Sequence, residues 1–276
     1  MIKRIICFSL VLTTFITIYI TSASAENNEI RLPVVMYHQF STNSNKCGKY
    51  ILSIEQFEDD LKYLKEHNYQ TISMAELTDY TDNGTPLPKN PIILTFDDGH
   101  LTFRTLVYPL LEKYDMCAVL SIIGELTDGY TENNDRNEVY AYLNWADVSE
   151  LTAGGRVEIG CHTYALHKLT NGRIGCSKGK NENSEKYKQL LETDLNTFHL
   201  RLLEEAGTKT SIMTYPFGGF CKESEEFIKE TGFKASFSCT ERINKIKDSD
   251  DLFLLGRYNR PHGISSEKFF KKMGVE

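Results

Sequence analysis

The run Thr95-Phe96-Asp97-Asp98-Gly99 places two carboxylates side by side. Adjacent side chains on a strand point to opposite faces, but a strand that ends at glycine can turn and bring both into one pocket. Two carboxylates buried together are costly unless a cation or a proton compensates them. A cation would take one Asp as a ligand and leave the other as a base. The competing reading is a pair that caps the helix expected over 101–114. The run 158–167 (EIGCHTYALH) adds His162 and His167. Two imidazoles and a carboxylate are a common donor set for zinc and other transition metals. A spacing of five would set the imidazoles about 140° apart on an ideal helix, so they converge only on an irregular loop. The third run, Met213-Thr214-Tyr215-Pro216-Phe217-Gly218-Gly219, joins a chain-fixing proline to two permissive glycines. Such a turn can aim the Phe217 backbone N–H into a pocket as an oxyanion donor, or it can be an ordinary loop.

All three runs sit where strands should end. Residues 34–40 (VVMYHQF), 91–97, 117–123, 157–161, 211–215, 234–238 and 252–255 read as short strands, 91–97 being apolar enough for burial on both faces. Between them lie helical patterns. Ser53 and Gln56 predict a capping box before an amphipathic helix over 54–67, and Ser73 caps a shorter one. Residues 101–114 form a helix with Pro109 as a kink, 145–153 a short helix ended by Gly154-Gly155, and 187–203 a long one with an apolar stripe. Residues 168–185 read as a polar surface excursion. Strand–helix alternation at this length implies an α/β fold, a complete or incomplete (β/α) barrel, whose chemistry gathers at the C-terminal strand ends.

Composition narrows the function classes. The chain has 276 residues, 31 Lys and Arg against 38 Asp and Glu, and a net charge of -7, which argues against a broad basic face for nucleic acid. Residues 1–25 read as a signal peptide: Lys3 and Arg4, an apolar core, then Ala23-Ser24-Ala25. The alternative is an N-terminal membrane anchor; no second stretch is long and apolar enough to span a membrane. Cleavage leaves one domain, 26–276, of 276 − 25 = 251 residues, with a charge of 29 − 38 = −9. It also leaves six of the seven cysteines, whose spacing fits no zinc knuckle and dictates no disulfide.

TFDDG, HTYALH and YPFGG, in this order, resemble the polysaccharide deacetylase family, the NodB-homology or carbohydrate esterase 4 group. PVVMYHQF and LNWADVSEL also match, and the HTY-x-LH form is nearest the poly-N-acetylglucosamine deacetylase branch. The resemblance implies a distorted (β/α) barrel of about seven parallel strands and a divalent metal, most often zinc. It makes Asp98, His162 and His167 the metal ligands, Asp97 the general base and Phe217 the oxyanion donor. The implied reaction releases acetate from the N-acetyl groups of an acetylated polysaccharide at the cell surface or outside the cell. An O-acetyl esterase and a glycan-binding pseudoenzyme are the rival readings.

The chain departs from the family pattern in two places. No Arg precedes the Pro-Phe-Gly turn, where many members have one that tunes the base; Arg257 is the expected substitute. The region that often supplies the general acid reads FLLGRYNRPHG, which makes His262 a candidate acid, with His38 as its competitor. His67, His100 and His199 read as exposed, helix-associated residues without a role.

Overall fold

Seven parallel strands curl around one axis in the computed structural model, which describes residues 29–170 and 172–276. The segment 1–25, and with it the signal-peptide reading, lies outside the described residues. The strands are β1 (Val34–Tyr37), β2 (Pro91–Phe96), β3 (Ala118–Ile122), β4 (Val157–Cys161), β5 (Ile212–Thr214), β6 (Ala235–Phe237) and β7 (Tyr258–Asn259). Their order across the sheet is β6-β5-β4-β3-β2-β1-β7, with every neighbouring pair parallel. One parallel bridge, Phe237 to Leu255, joins β6 to the residues leading into β7 and draws the two edges together. This is the distorted (β/α) barrel expected from the sequence.

The period of two sorts each strand into an inner and an outer face. Val34, Ile93, Val119 and Ile212, with Ala235 and Phe237 of β6, come from five of the strands and form a single apolar cluster inside the barrel. Their neighbours Val35, Ile92, Leu94, Phe96, Leu120, Ile159 and Met213 pack outward against the helices. Toward the C-terminal strand ends the inner layer turns polar: Thr95, Ser121 and Thr214 are fully buried, and Ser121 Oγ lies 2.6 Å from Thr214 Oγ1. The next inward positions are Asp97 and His162.

The helices are α1 (Ile54–Glu66), α2 (Met74–Asn83), α3 (Tyr108–Tyr114), α4 (Gly124–Asn133), α5 (Trp145–Ala153), α6 (Ser184–Ala206), α7 (Lys222–Glu230) and α8 (Ser266–Lys272). Among the described residues, no helix is long and apolar enough to cross a membrane. Ser73 and Glu76 complete a capping box at α2. At α1 the expected box is half formed. Ser53 Oγ accepts from the Gln56 N–H, but the Gln56 amide donates to Ile264 O at 2.6 Å and accepts from Gly263 N at 2.9 Å. The kink expected at Pro109 is a π-helical turn, Phe103–Val107, that ends just before it.

Two other expectations change. The strand expected over 252–255 is displaced to Tyr258–Asn259, because Leu254 has φ +56° and breaks the extended run. Helix α4 carries no side-chain cap, and its glycines and threonines hide it from periodicity. Its first N–H groups donate instead to Thr163 O and Tyr164 O, at 3.1 and 2.8 Å.

A buried ion pair ties the last strand to the first helix. Arg260 donates through Nε and Nη2 to the two Asp60 oxygens at 2.8 and 2.9 Å, and both side chains are 0% exposed. Tyr37 Oη and Ser266 Oγ complete the hydrogen bonding of that carboxylate.

Candidate active site and metal centre

A cavity of about 690 Å³ opens at the C-terminal ends of the strands, with Asp97, Asp98, His162, His167 and Phe217 on its walls. The alternation of β2 aims Asp97 inward after Ile93 and Thr95. Asp98 should then point outward, but its φ of +75°, followed by +79° at Gly99, turns it back into the mouth. A non-glycine residue in the left-handed region is uncommon and marks a position held by its surroundings.

His162 is the next inward residue after β4, and its Nδ1 lies 2.8 Å from Thr214 O. A carbonyl only accepts, so Nδ1 carries the hydrogen and the Nε2 lone pair faces the cavity. That Nε2 lies 3.4 Å from Asp98 Oδ1, and His167 Nε2 lies 3.3 Å from the same oxygen. The three donor atoms fall within 4.8 Å of one another. Two imidazole lone pairs and one carboxylate, oriented in this way, fit a divalent transition metal, zinc among them.

Residues distant in sequence hold the loop that carries both imidazoles. Asp194 on α6, buried, accepts from Tyr164 N and Ala165 N at 2.8 and 2.7 Å. Burial pushes its carboxyl up to about 6 even though those two amides pull it down. Asp128 on α4 accepts from Tyr164 Oη, Trp145 Nε1 and Arg201. The loop can therefore be irregular, with Thr163 at φ +70°, and still fixed.

Asp97 stands apart from the donor set. Arg257 grips it with two hydrogen bonds, Nη1 to Oδ1 at 2.6 Å and Nη2 to Oδ2 at 2.8 Å. The guanidinium is itself held by Ser238 O and Thr95 Oγ1, and is 0% exposed. Burial alone would raise the Asp97 carboxyl; the charge of Arg257 and its hydrogen bonds lead the forces that outweigh it and hold the group below its ordinary value. Asp98 behaves alike: burial opposes the charge, but the imidazoles of His100 and His162 beside it hold it well below the carboxylate range.

Across the mouth, Pro216–Gly218 forms a tight turn in which Phe217 has φ +56°. Gly218 N and Gly219 N donate to the carbonyls of Tyr215 and Pro216, which leaves the Phe217 N–H out of the turn's own bonding. The Phe217 ring lies 4.3 Å from that of His167. Gly219 has to be glycine, since a Cβ there would collide with Ile174 O in the hairpin that follows the metal loop.

The two candidate acids separate. His38 lies on the cavity wall, edge-on to Tyr50 at 4.8 Å, with Nδ1 unpartnered. Burial lowers its pKa against the pull of Asp97 and Asp98. His262 is absent from the cavity lining: its N–H donates to Gly48 O, in the loop that ties 263–264 to Gln56. The structure thus brings His38, and not His262, to the wall that carries Asp97 and Asp98.

Two other histidines differ from the sequence expectation. His100 lines the cavity with its side chain 13% exposed, and His199 packs against Phe233. Cys161, beside His162, is a buried thiol whose pKa is pushed well above its ordinary value by that burial. All six cysteines among the described residues are unpaired.

Comparisons with known proteins find both a family model and named relatives. A family model described as polysaccharide deacetylase matches residues 84–236. A poly-beta-1,6-N-acetyl-D-glucosamine N-deacetylase of Staphylococcus aureus is 29% identical over 238 residues, 81% of this chain and 77% of that protein. A protein of the same name from Escherichia coli is 22% identical over 212 residues, covering 70% of this chain and 32% of its own length. Among solved structures, a de-N-acetylase from Aggregatibacter actinomycetemcomitans superposes with a TM-score of 0.73 at 24% identity, covering 88% of this chain and 98% of that one. IcaB from Ammonifex degensii gives 0.70 at 24%, covering 83% and 91%. These superpositions bear on the fold.

Proposed function

Since the chain belongs to the polysaccharide deacetylase family, we propose that it removes N-acetyl groups from an N-acetylglucosamine-containing polysaccharide outside the cell, releasing acetate. The observation that carries this reading is the division of labour between neighbouring carboxylates. Asp98 converges with His162 and His167, while Asp97 is withdrawn from them and paired to Arg257. The names of the relatives support the substrate class.

In this reading Asp98, His162 and His167 hold a divalent cation, zinc foremost. Such a cation, when bound, polarises the acetyl carbonyl and lowers the pKa of a water. Asp97, kept ionised by Arg257, takes the proton of the attacking water. The Phe217 N–H donates to the carbonyl oxygen as charge develops on it. His38 protonates the departing amine, which is otherwise a poor leaving group.

Acetate release from N-acetylated and O-acetylated glycans, with and without chelator, tests the reading. N-linked acetate should appear, vanish on chelation and return with added metal. Release confined to O-acetyl esters would favour the esterase, binding without release the pseudoenzyme, and activity that survives thorough metal removal would sink the mechanism.

The acid assignment has its own test. His38→Ala should lower turnover by about 10²–10⁴-fold with metal retained. His262→Ala, altering a group off the cavity, should stay near wild type. The reverse pattern would return the acid role to His262.

A further inference from the structure

His100 follows the Asp97-Asp98-Gly99 turn, where two successive left-handed residues fold the chain back on itself. The turn is wedged against β3: a Cβ at Gly99 would lie 3.0 Å from Ile122 Cγ2. This return brings the His100 ring beside the carboxylate two residues earlier, with Nε2 3.7 Å from Asp98 Oδ2. Tyr142 fixes the ring from the other side, its own ring stacked at 4.5 Å and 26°, and the two backbones form a bridge. His100 Nδ1 is buried and has no hydrogen-bond partner. The Nε2 edge of the ring faces Asp98, whose carboxylate can only accept.

The two Asp98 oxygens therefore face different ways. Oδ1 looks toward His162 and His167, and Oδ2 toward His100. We propose that His100 is a positioning residue for the metal ligand Asp98, holding Oδ2 so that Oδ1 alone is presented to a cation. The inference rests on the metal-dependent reading of the site. A ligating carboxylate is free to engage a metal through one oxygen or two, and a ring fixed against the second oxygen, here 3.7 Å from it and so short of a hydrogen bond, biases it toward one. Such outer contacts are commonly worth about 10–100-fold in metal affinity.

Three proteins test this: the wild type, His100→Phe, which keeps an aromatic ring on Tyr142 but no N–H, and His100→Gln, which restores an N–H donor. The readouts are Zn²⁺ affinity by competition with a chromophoric chelator and the visible spectrum of the Co²⁺-loaded protein. His100→Phe should bind Zn²⁺ about 10–100-fold more weakly, with an altered Co²⁺ spectrum, and His100→Gln should recover most of both. Wild-type affinity and spectrum in His100→Phe would overturn the inference. So would an equal loss in both variants with an unchanged spectrum, which marks a packing effect. If His100→Phe does not fold, His100→Gln against His100→Ala makes the same comparison. A wild type that releases acetate in a metal-dependent way, with variants that bind like it, removes this inference alone. A wild type that binds no divalent ion removes the metal-dependent reading as well.

Discussion

Asp97→Asn should lower acetate release by about 10²–10⁴-fold while Zn²⁺ affinity stays close to wild type. The substitution keeps the shape of the side chain and removes its ability to take a proton. Metal binding should survive because the three converging donors are Asp98, His162 and His167, and Asp97 is turned to Arg257. Unchanged turnover in Asp97→Asn, with metal bound, would remove it from the mechanism.

The pair also fixes the sign of a pH effect. Burial raises the Asp97 carboxyl, and Arg257 is the leading force that overcomes it. In Arg257→Met the lowering influence goes while the burial stays, so the acid limb of kcat/KM should move to higher pH. In the wild type, a carboxyl lowered by folding contributes stability that is present above its unfolded pKa. That contribution is lost as pH falls through the folded value. An acid limb that stays in place in Arg257→Met would show that Asp97 is not the group being titrated.

The second large effect concerns stability. Asp60→Ala should cost about 3–5 kcal/mol, because it strands a fully buried guanidinium. Arg260 keeps only its bond to Pro261 O, and the hydroxyls of Tyr37 and Ser266 lose an acceptor. A loss of that size is a large part of the ~5–15 kcal/mol that typically separates folded from unfolded chains. The double change Asp60→Leu with Arg260→Met should be more stable than either single change, since no buried charge is then unpaired. Denaturant unfolding measures all four proteins. Single variants as stable as wild type would show that water reaches the pair.

The carboxylates and imidazoles of the candidate site were legible because they follow apolar runs. A parallel sheet puts such positions at one end of the barrel, and the run 91–97 was long enough to declare itself a buried strand. Arg257 was legible for a related reason: a cation at a strand end, in a chain lacking the usual Arg, has few other uses. His100 was not. After Asp-Asp-Gly it reads as the exposed first turn of a helix, and only the two left-handed residues before it bring its ring back to Asp98. Asp194 and Asp128 were hidden because a polar residue on an amphipathic helix reads as solvent-facing. The exception shows only when a loop amide, for Asp194, or the Tyr164 hydroxyl, for Asp128, needs an acceptor. The period of two inside the barrel was the most informative signal after the motifs. It places Asp97 inward, and it fails at Asp98, where the backbone is left-handed.

The late strand β7 has a further consequence, for the order in which the site is assembled. Arg257 meets Asp97 across 160 residues of sequence, and Arg260 meets Asp60 across 200. Contacts of such separation form slowly, because a long loop must close before they repay its cost. A chain halted before residue 257 already contains the three candidate donors, the proposed base and the Phe217 turn. What it lacks is Arg257, the counter-charge that holds Asp97 below its ordinary value despite burial. In the proposed mechanism, therefore, the base gains its counter-charge only once the segment from residue 257 onward is in place, and losing that segment would strike the chemistry as much as the fold.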